Sequence, residues 1–364
     1  MAMADARPMA LVTPAHARRP RALPVLGTLL LMLLLAMLLA AAIGAAGIPL
    51  ARLPAALGIT NATPGDALAA RDQLILWSIR LPRIAIAAMI GGLLGAAGAI
   101  MQGLFRNPLA DPALVGVSSG GAFAAAAAIV VSDSRFASHL VALQPVLLPL
   151  AAFIGSLATT IVLYRIASRS GRTSIAIFLL AGLAIAAIAN AGIGLLVFVA
   201  DDRQLRDITF WLLGSLSGAT WTKAATLAPV MVIAVAAMAF IHRGLDVLIL
   251  GESEAFHAGV DVERLKRICI VLVSGMTGAA VSVCGVVGFI GIVVPHLLRL
   301  VIGPGHRLLL PASVGLGAIL MIGADTLARS IVAPAEMPIG ILTAAVGAPI
   351  FLLILLRQRG LVGL

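Results

Sequence analysis

Only two of the 364 residues are lysines, Lys223 and Lys266, and neither follows a glycine. A phosphate-cradling G-x-x-x-x-G-K-[ST] loop needs that pair, because its backbone N–H groups wrap the phosphates while the lysine reaches the terminal oxygens. The chain therefore cannot hold ATP in the usual loop, and any ATP-driven work requires a separate subunit. The H-E-x-x-H spacing of a zinc protease is also absent. Few ionisable side chains fall inside apolar runs: Asp325 and Arg329 near the end of one, and His296 and Arg299 near the end of another. Asp325 and Arg329 are spaced i, i+4, which suits a local ion pair. His296 and Arg299 follow Pro295 at a boundary, where snorkelling to headgroups is sufficient explanation. A proton-coupled carrier needs more mid-membrane groups than these. Cys269 and Cys284 lie fifteen residues apart in one apolar stretch. That is about 22 Å along a helix, beyond disulfide reach.

These groups are positioned by elements made almost wholly of apolar residues. The chain is 61% hydrophobic and 11% charged, against about 25% charged in a soluble domain. Its mean hydropathy is +1.13. The expectation is an all-α polytopic membrane protein of about ten transmembrane helices. The spans fall near 25–47, 84–101, 113–131, 145–164, 174–199, 223–241, 268–284, 286–301, 308–328 and 339–356. The seventh and eighth share one apolar run, with Gly285 and Gly288 as the expected turn. Residues 1–24 form an N-terminal tail, 25–357 the membrane domain and 358–364 a C-terminal tail. The first apolar run is too long for a signal peptide's core of about 7–15 residues, so it is expected to stay as the first span.

Placing the N-terminus inside puts sixteen of the 25 Lys and Arg residues on the cytoplasmic side, as the positive-inside rule asks. Both termini are then cytoplasmic. The net charge of +10 is spread between spans rather than gathered on one face, which fits anionic lipid and not nucleic acid. Arg80, Arg83 and Arg329 fall outside, against the bias, and ask for a reason.

Two connections stand out. The outer one, 201–222, alternates apolar and small polar residues, as an interfacial helix does. The inner one, 242–267, carries Asp246, Glu252, Glu254, Asp261 and Glu263, a third of the chain's fifteen acids. Its Leu250-Gly-Glu-Ser-Glu-Ala255 reads as a short helix with acids in the first turn, where the dipole favours them. In the second span, Gly91, Gly95 and Gly98 let a neighbouring backbone approach closely, which is how helices associate within lipid. The second to fifth and seventh to tenth spans start on opposite sides, an order compatible with an inverted repeat.

Several strings taken together resemble one family. Arg80-Leu-Pro-Arg83 leads through the glycine-rich span into Gln102-Gly-Leu-Phe-Arg-Asn-Pro-Leu-Ala-Asp-Pro112 and Gly116-Val-Ser-Ser-Gly120. Further on come Gly288-Phe-Ile-Gly-Ile-Val-Val-Pro-His-Leu-Leu-Arg299, Ala324-Asp-Thr-Leu-Ala-Arg329, Pro334-Ala-Glu-Met-Pro-Ile-Gly340 and Gly347-Ala-Pro-Ile-Phe351. In this order they resemble the permease subunits of type II ABC importers for iron chelates, haem and cobalamin. Trp211-Leu-Leu-Gly-Ser-Leu-Ser-Gly-Ala-Thr-Trp221 and Ile302-Gly-Pro-Gly-His-Arg307 look most like haem importer permeases of Gram-negative bacteria.

The resemblance implies an inner-membrane homodimer that works with two ATP-binding subunits and a periplasmic haem-binding protein. Haem would be the cargo rather than a cofactor, with ferric siderophore and cobalamin as alternatives, and the permease itself would not be an enzyme. A secondary transporter is the rival from another class. By resemblance, Arg80, Arg83 and Arg329 dock acidic residues of the binding protein, against the plainer reading that they cap helix ends or pair with Asp325. Gly251, Glu252, Ala255 and Gly259 frame the segment that couples to the ATPase. Gly171, Thr173 and Ser174 stand where the family narrows the cytoplasmic gate, an ordinary connector being the alternative. One departure is Ala255-Phe-His-Ala258-Gly259, where many members have Leu at the fourth position.

Overall fold

Spans of about twenty apolar residues become helices because lipid offers no partner for a backbone N–H or C=O. The computed structural model describes residues 22–44, 47–60, 67–112, 116–132, 144–169 and 172–362. Its helices are α1 (Ala22–Ala42), α2 (Leu53–Ala56), α3 (Ala67–Ile75), α4 (Leu81–Leu104), α5 (Val117–Ser132), α6 (Gln144–Ala167) and α7 (Ile175–Val199). They continue as α8 (Asp202–Leu213), α9 (Trp221–Leu248), α10 (Glu252–His257), α11 (Val262–Cys284), α12 (Ile290–Ile302), α13 (His306–Ile331) and α14 (Ile339–Val362). Among the described residues, seven helical stretches are long and apolar enough to cross a membrane. Three shorter apolar helices, α5, α12 and the first part of α14, fill the remaining expected spans.

The boundary between the seventh and eighth spans lies where the glycines placed it. α11 stops at Cys284, and Gly285 turns the chain with a positive φ of 74°. Two features are additional to the expected spans. α3 runs through a wide-turned segment, Leu76–Arg80, straight into α4. A two-stranded antiparallel hairpin of β1 (Ser168–Arg169) and β2 (Arg172–Thr173) joins α6 to α7. It is the only sheet among the described residues of an otherwise helical chain. The 201–222 connection does form an amphipathic helix, α8, opened by a capping box of Asp201 and Gln204.

α4 is the hub. Twenty of its 24 residues are buried, against two of 21 in α1 and four of 25 in α7. Its glycines explain why. A Cβ on Gly91 would lie 2.2 Å from the Gly317 carbonyl oxygen of α13, and one on Gly98 would lie 1.9 Å from the Gly291 oxygen of α12. No side chain fits there, so the backbones touch directly and gain dispersion contacts that lipid cannot replace. Gly120 and Gly155 form a similar seam between α5 and α6. α1 and α7 keep most of their leucines and isoleucines on the outside of the bundle, although Ile193 of α7 is buried.

Candidate functional site

The family-like strings meet at the two ends of α4. At its first turn, Arg83 donates from Nε to both carboxylate oxygens of Asp325 at 2.9 and 3.0 Å, and from a terminal nitrogen to Glu336 at 2.7 Å. Asp325 also faces Arg329 Nε at 3.6 Å, the i, i+4 pair expected from spacing. Arg80 and Arg329 donate to the carbonyl oxygens of Ala41 and Ala40, capping the C-terminal end of α1. All three arginines are thus turned inward: Arg80 is 4% exposed, Arg83 7%, and the Arg329 side chain 10%. Three guanidiniums face two carboxylates, so the cluster carries one positive charge in excess. At this end of α4 the three arginines have a structural role: they neutralise a buried acid and satisfy the end of a helix. A further pair, Arg52 with the buried Asp72 at 3.3 Å, stands on the segments leading into this end.

At the other end of α4, the Gln102 amide donates to the Gly291 and Ile292 carbonyl oxygens, each at 3.4 Å, and its oxygen accepts from Arg299. These carbonyls lie in the first turn of α12. Gln102 and Arg299, from separate strings, therefore form a single clamp between α4 and α12. Nearby, Asp246 accepts the backbone N–H of His306 at 2.7 Å and lies 2.8 Å from its Nδ1, holding the start of α13 to α9. His306 is buried.

The short helix in the inner connection is α10. Gly251 precedes it at φ 130° and Gly259 follows at φ 81°, conformations that side chains strain to adopt. Ala255 is fully buried beneath it, so it seats α10 on the bundle rather than facing outward. Ser253, Glu254 and His257 face out, and so does Phe256, 71% exposed. Glu252 is drawn inward instead, to the Lys266 ammonium at 2.8 Å.

Of the three expected gate residues, Gly171 lies outside the described residues. Thr173 is buried, its hydroxyl 2.9 Å from that of Ser168 within the hairpin. Ser174 caps α7 by accepting from the Ile177 N–H at 3.4 Å. Lys266 connects this hairpin to α10. It donates to the Thr173 carbonyl at 3.1 Å and to Glu263 at 3.0 Å, while Glu263 accepts the Thr173 N–H at 3.0 Å. The hairpin, α10 and the start of α11 line an open cleft of about 1320 Å³, with Arg169, Arg172 and Glu252 on its walls. In the sequence Lys266 stands out only as one of the chain's two lysines. Its i, i+3 spacing from Glu263 was visible, but Glu252 and Thr173 reach it only through folding.

No group of three or more His, Cys, Asp or Glu that could hold a metal occurs among the described residues. Gly116-Val-Ser-Ser-Gly120 does spell the G-x-S-x-G of a nucleophile elbow. Such an elbow turns from strand to helix, whereas Ser118 lies within α5 and the described strands are confined to 168–173. Cys269 and Cys284 are free and buried.

Comparison with known proteins agrees with this geometry. The FecCD transport family model matches residues 30–357. The hemin transport system permease protein HmuU of Yersinia pestis is 45% identical over 78% of this chain and 84% of its own length. The cobalamin import system permease protein BtuC of Halobacterium salinarum is 43% identical over 79% of this chain and 74% of its own. A solved inward-facing metal-chelate-type ABC transporter superposes with a TM-score of 0.77 at 28% identity, covering 92% of this chain and 99% of the other. A family model that spans nearly the whole membrane domain, with relatives of this identity and coverage, shows that the chain belongs to the FecCD transport family, as the membrane permease of a type II ABC importer.

Proposed function

We propose that this permease carries haem inward across a bacterial inner membrane as a homodimer with both termini cytoplasmic. Two partner subunits would bind and hydrolyse ATP, and a periplasmic haem-binding protein would deliver the cargo. The observation that carries the cargo reading is the similarity to the hemin permease, 45% over 291 residues. The cobalamin permease is nearly as similar at 43%, so a second line of support matters. α7 offers an apolar outer face, with Leu180, Leu183, Ile188, Leu195 and Phe198 each at least 67% exposed, and Asn190 is the only polar side chain in the helix. Paired across a dimer, such faces make a weakly interacting wall that suits a flat apolar macrocycle and leaves iron ligation to the binding protein. Tight capture by the wall would oppose release.

α10 is the proposed contact with the ATPase, its exposed Phe256 acting as the aromatic anchor that enters a pocket. The excess positive charge of the Arg80, Arg83 and Arg329 cluster is proposed to steer acidic residues of the binding protein. Burial limits that role to the field of the cluster, which acts on the rate of encounter and fades with salt. Gly171, Thr173 and Ser174, with the rest of the hairpin, are proposed to narrow the cytoplasmic exit.

The test is reconstitution of the full chain with its own ATPase and binding protein in liposomes, followed by uptake of haem, a ferric siderophore and cobalamin. ATP-dependent haem uptake that survives a proton uncoupler is the expected result. Uptake of a siderophore or cobalamin without haem transport overturns the cargo, and uptake without the ATPase subunit overturns the mechanism.

A further inference from the structure

Lys266 is 2% exposed near the start of α11. An ammonium has three donors, and here each meets an acceptor on a different element: Glu252 on α10, Glu263 on α11 and the Thr173 carbonyl on β2. The far side of the same hairpin residue is held too, because the Thr173 N–H donates to Glu263. Among the described residues, no hydrogen bond joins α10 to the hairpin directly, so this ammonium and its carboxylates form the polar link between them. Stranding a buried ammonium is costly. A shift of about 1 Å in α10 alone would stretch its bond to Glu252 past hydrogen-bond range.

We propose that Lys266 is a positioning residue that makes α10 and the β1–β2 hairpin move as one body. A displacement of α10 would then be delivered to Thr173 and, through the Ser174 cap, to the first turn of α7. The inference rests on the reading of α10 as the ATPase contact. It adds the part that converts that contact into movement of the hairpin.

The experiment compares the parent with Lys266→Met, Lys266→Arg and Glu252→Gln, each as full-length permease reconstituted with ATPase and binding protein. Three quantities are read: ATPase association, haem moved per ATP hydrolysed, and the spin-label distance between Ser253 of α10 and Arg172 of the hairpin. Lys266→Met is expected to keep ATPase association while haem moved per ATP falls by about tenfold or more, the equivalent of one charge-assisted hydrogen bond. Its distance distribution should broaden. Lys266→Arg, which keeps the charge, should recover most of both. Glu252→Gln should fall between parent and Lys266→Met, and it decides the matter if the methionine variant fails to assemble. Unchanged haem per ATP with an unchanged, narrow distance overturns the pin. Loss of the α10 contact with the ATPase in the parent overturns the underlying reading instead, and the distance measurement on the permease alone still tests Lys266.

Discussion

Replacing Arg83 with Met removes the group that holds Asp325. Asp325 is 2% exposed, and Arg83 meets it with two nitrogens at 2.8 to 3.0 Å. After the substitution the carboxylate keeps only Arg329 Nε, at 3.6 Å. Leaving one partner of a buried pair uncompensated costs about 3–5 kcal/mol. The residual arginine argues for the low end, so about 3 kcal/mol is expected, or roughly a hundredfold in the folding equilibrium. The Glu336 bond adds little, because its side chain is 40% exposed and such pairs are worth under about 1 kcal/mol. The assay is thermal unfolding of the purified full-length chain in nanodiscs, for Arg83→Met, Arg83→Lys, Asp325→Asn and the double variant Arg83→Met with Asp325→Asn. Lysine keeps the charge without the fork that reaches both oxygens, so it should recover only part of the loss. The double variant should be more stable than Arg83→Met alone, because the stranded charge is gone. Parental stability in Arg83→Met, or no recovery in the double variant, refutes the argument.

Other outcomes follow from the same geometry. Gly98→Val should abolish assembly of the bundle, read as loss of monodisperse protein on size exclusion, since even a Cβ would sit 1.9 Å from the Gly291 oxygen. Phe256→Ala should weaken ATPase association by about tenfold, as loss of an aromatic anchor does, without altering thermal stability, since the ring is 71% exposed. Cysteines at Ser253 or Phe256 should crosslink to the ATPase in a nucleotide-dependent way, whereas one at the buried Ala255 should not. A cysteine at the exposed Arg172, and not at the buried Thr173, should form a disulfide across the dimer and block transport until reduced. Full transport with that bond formed excludes the hairpin as the gate.

Much of this architecture was legible in the chain itself. Hydropathy located the spans because a helix satisfies its whole backbone within one segment in lipid, and Gly285 marked the turn within the run shared by the seventh and eighth spans. Gly91 and Gly98 announced close packing, and Asp325 with Arg329 announced an ion pair by spacing alone. Local patterns of this kind need no knowledge of what lies across the bundle. The partners of the buried charges did. Arg83 and Asp325 are 242 residues apart, Gln102 and Arg299 197, and Lys266 and Thr173 93. Along the chain Arg83 and Arg299 fall near the ends of apolar spans, where a docking role by resemblance for the first and snorkelling for the second were reasonable. Folding turned them inward, because a charge at a helix end is stable in the bundle only when another helix supplies its counterpart. The membrane, its helices and the absence of a phosphate loop were set by residue types along the chain. Which arginine holds which acid, and which lysine ties α10 to the hairpin, was set by the packing of distant helices against one another.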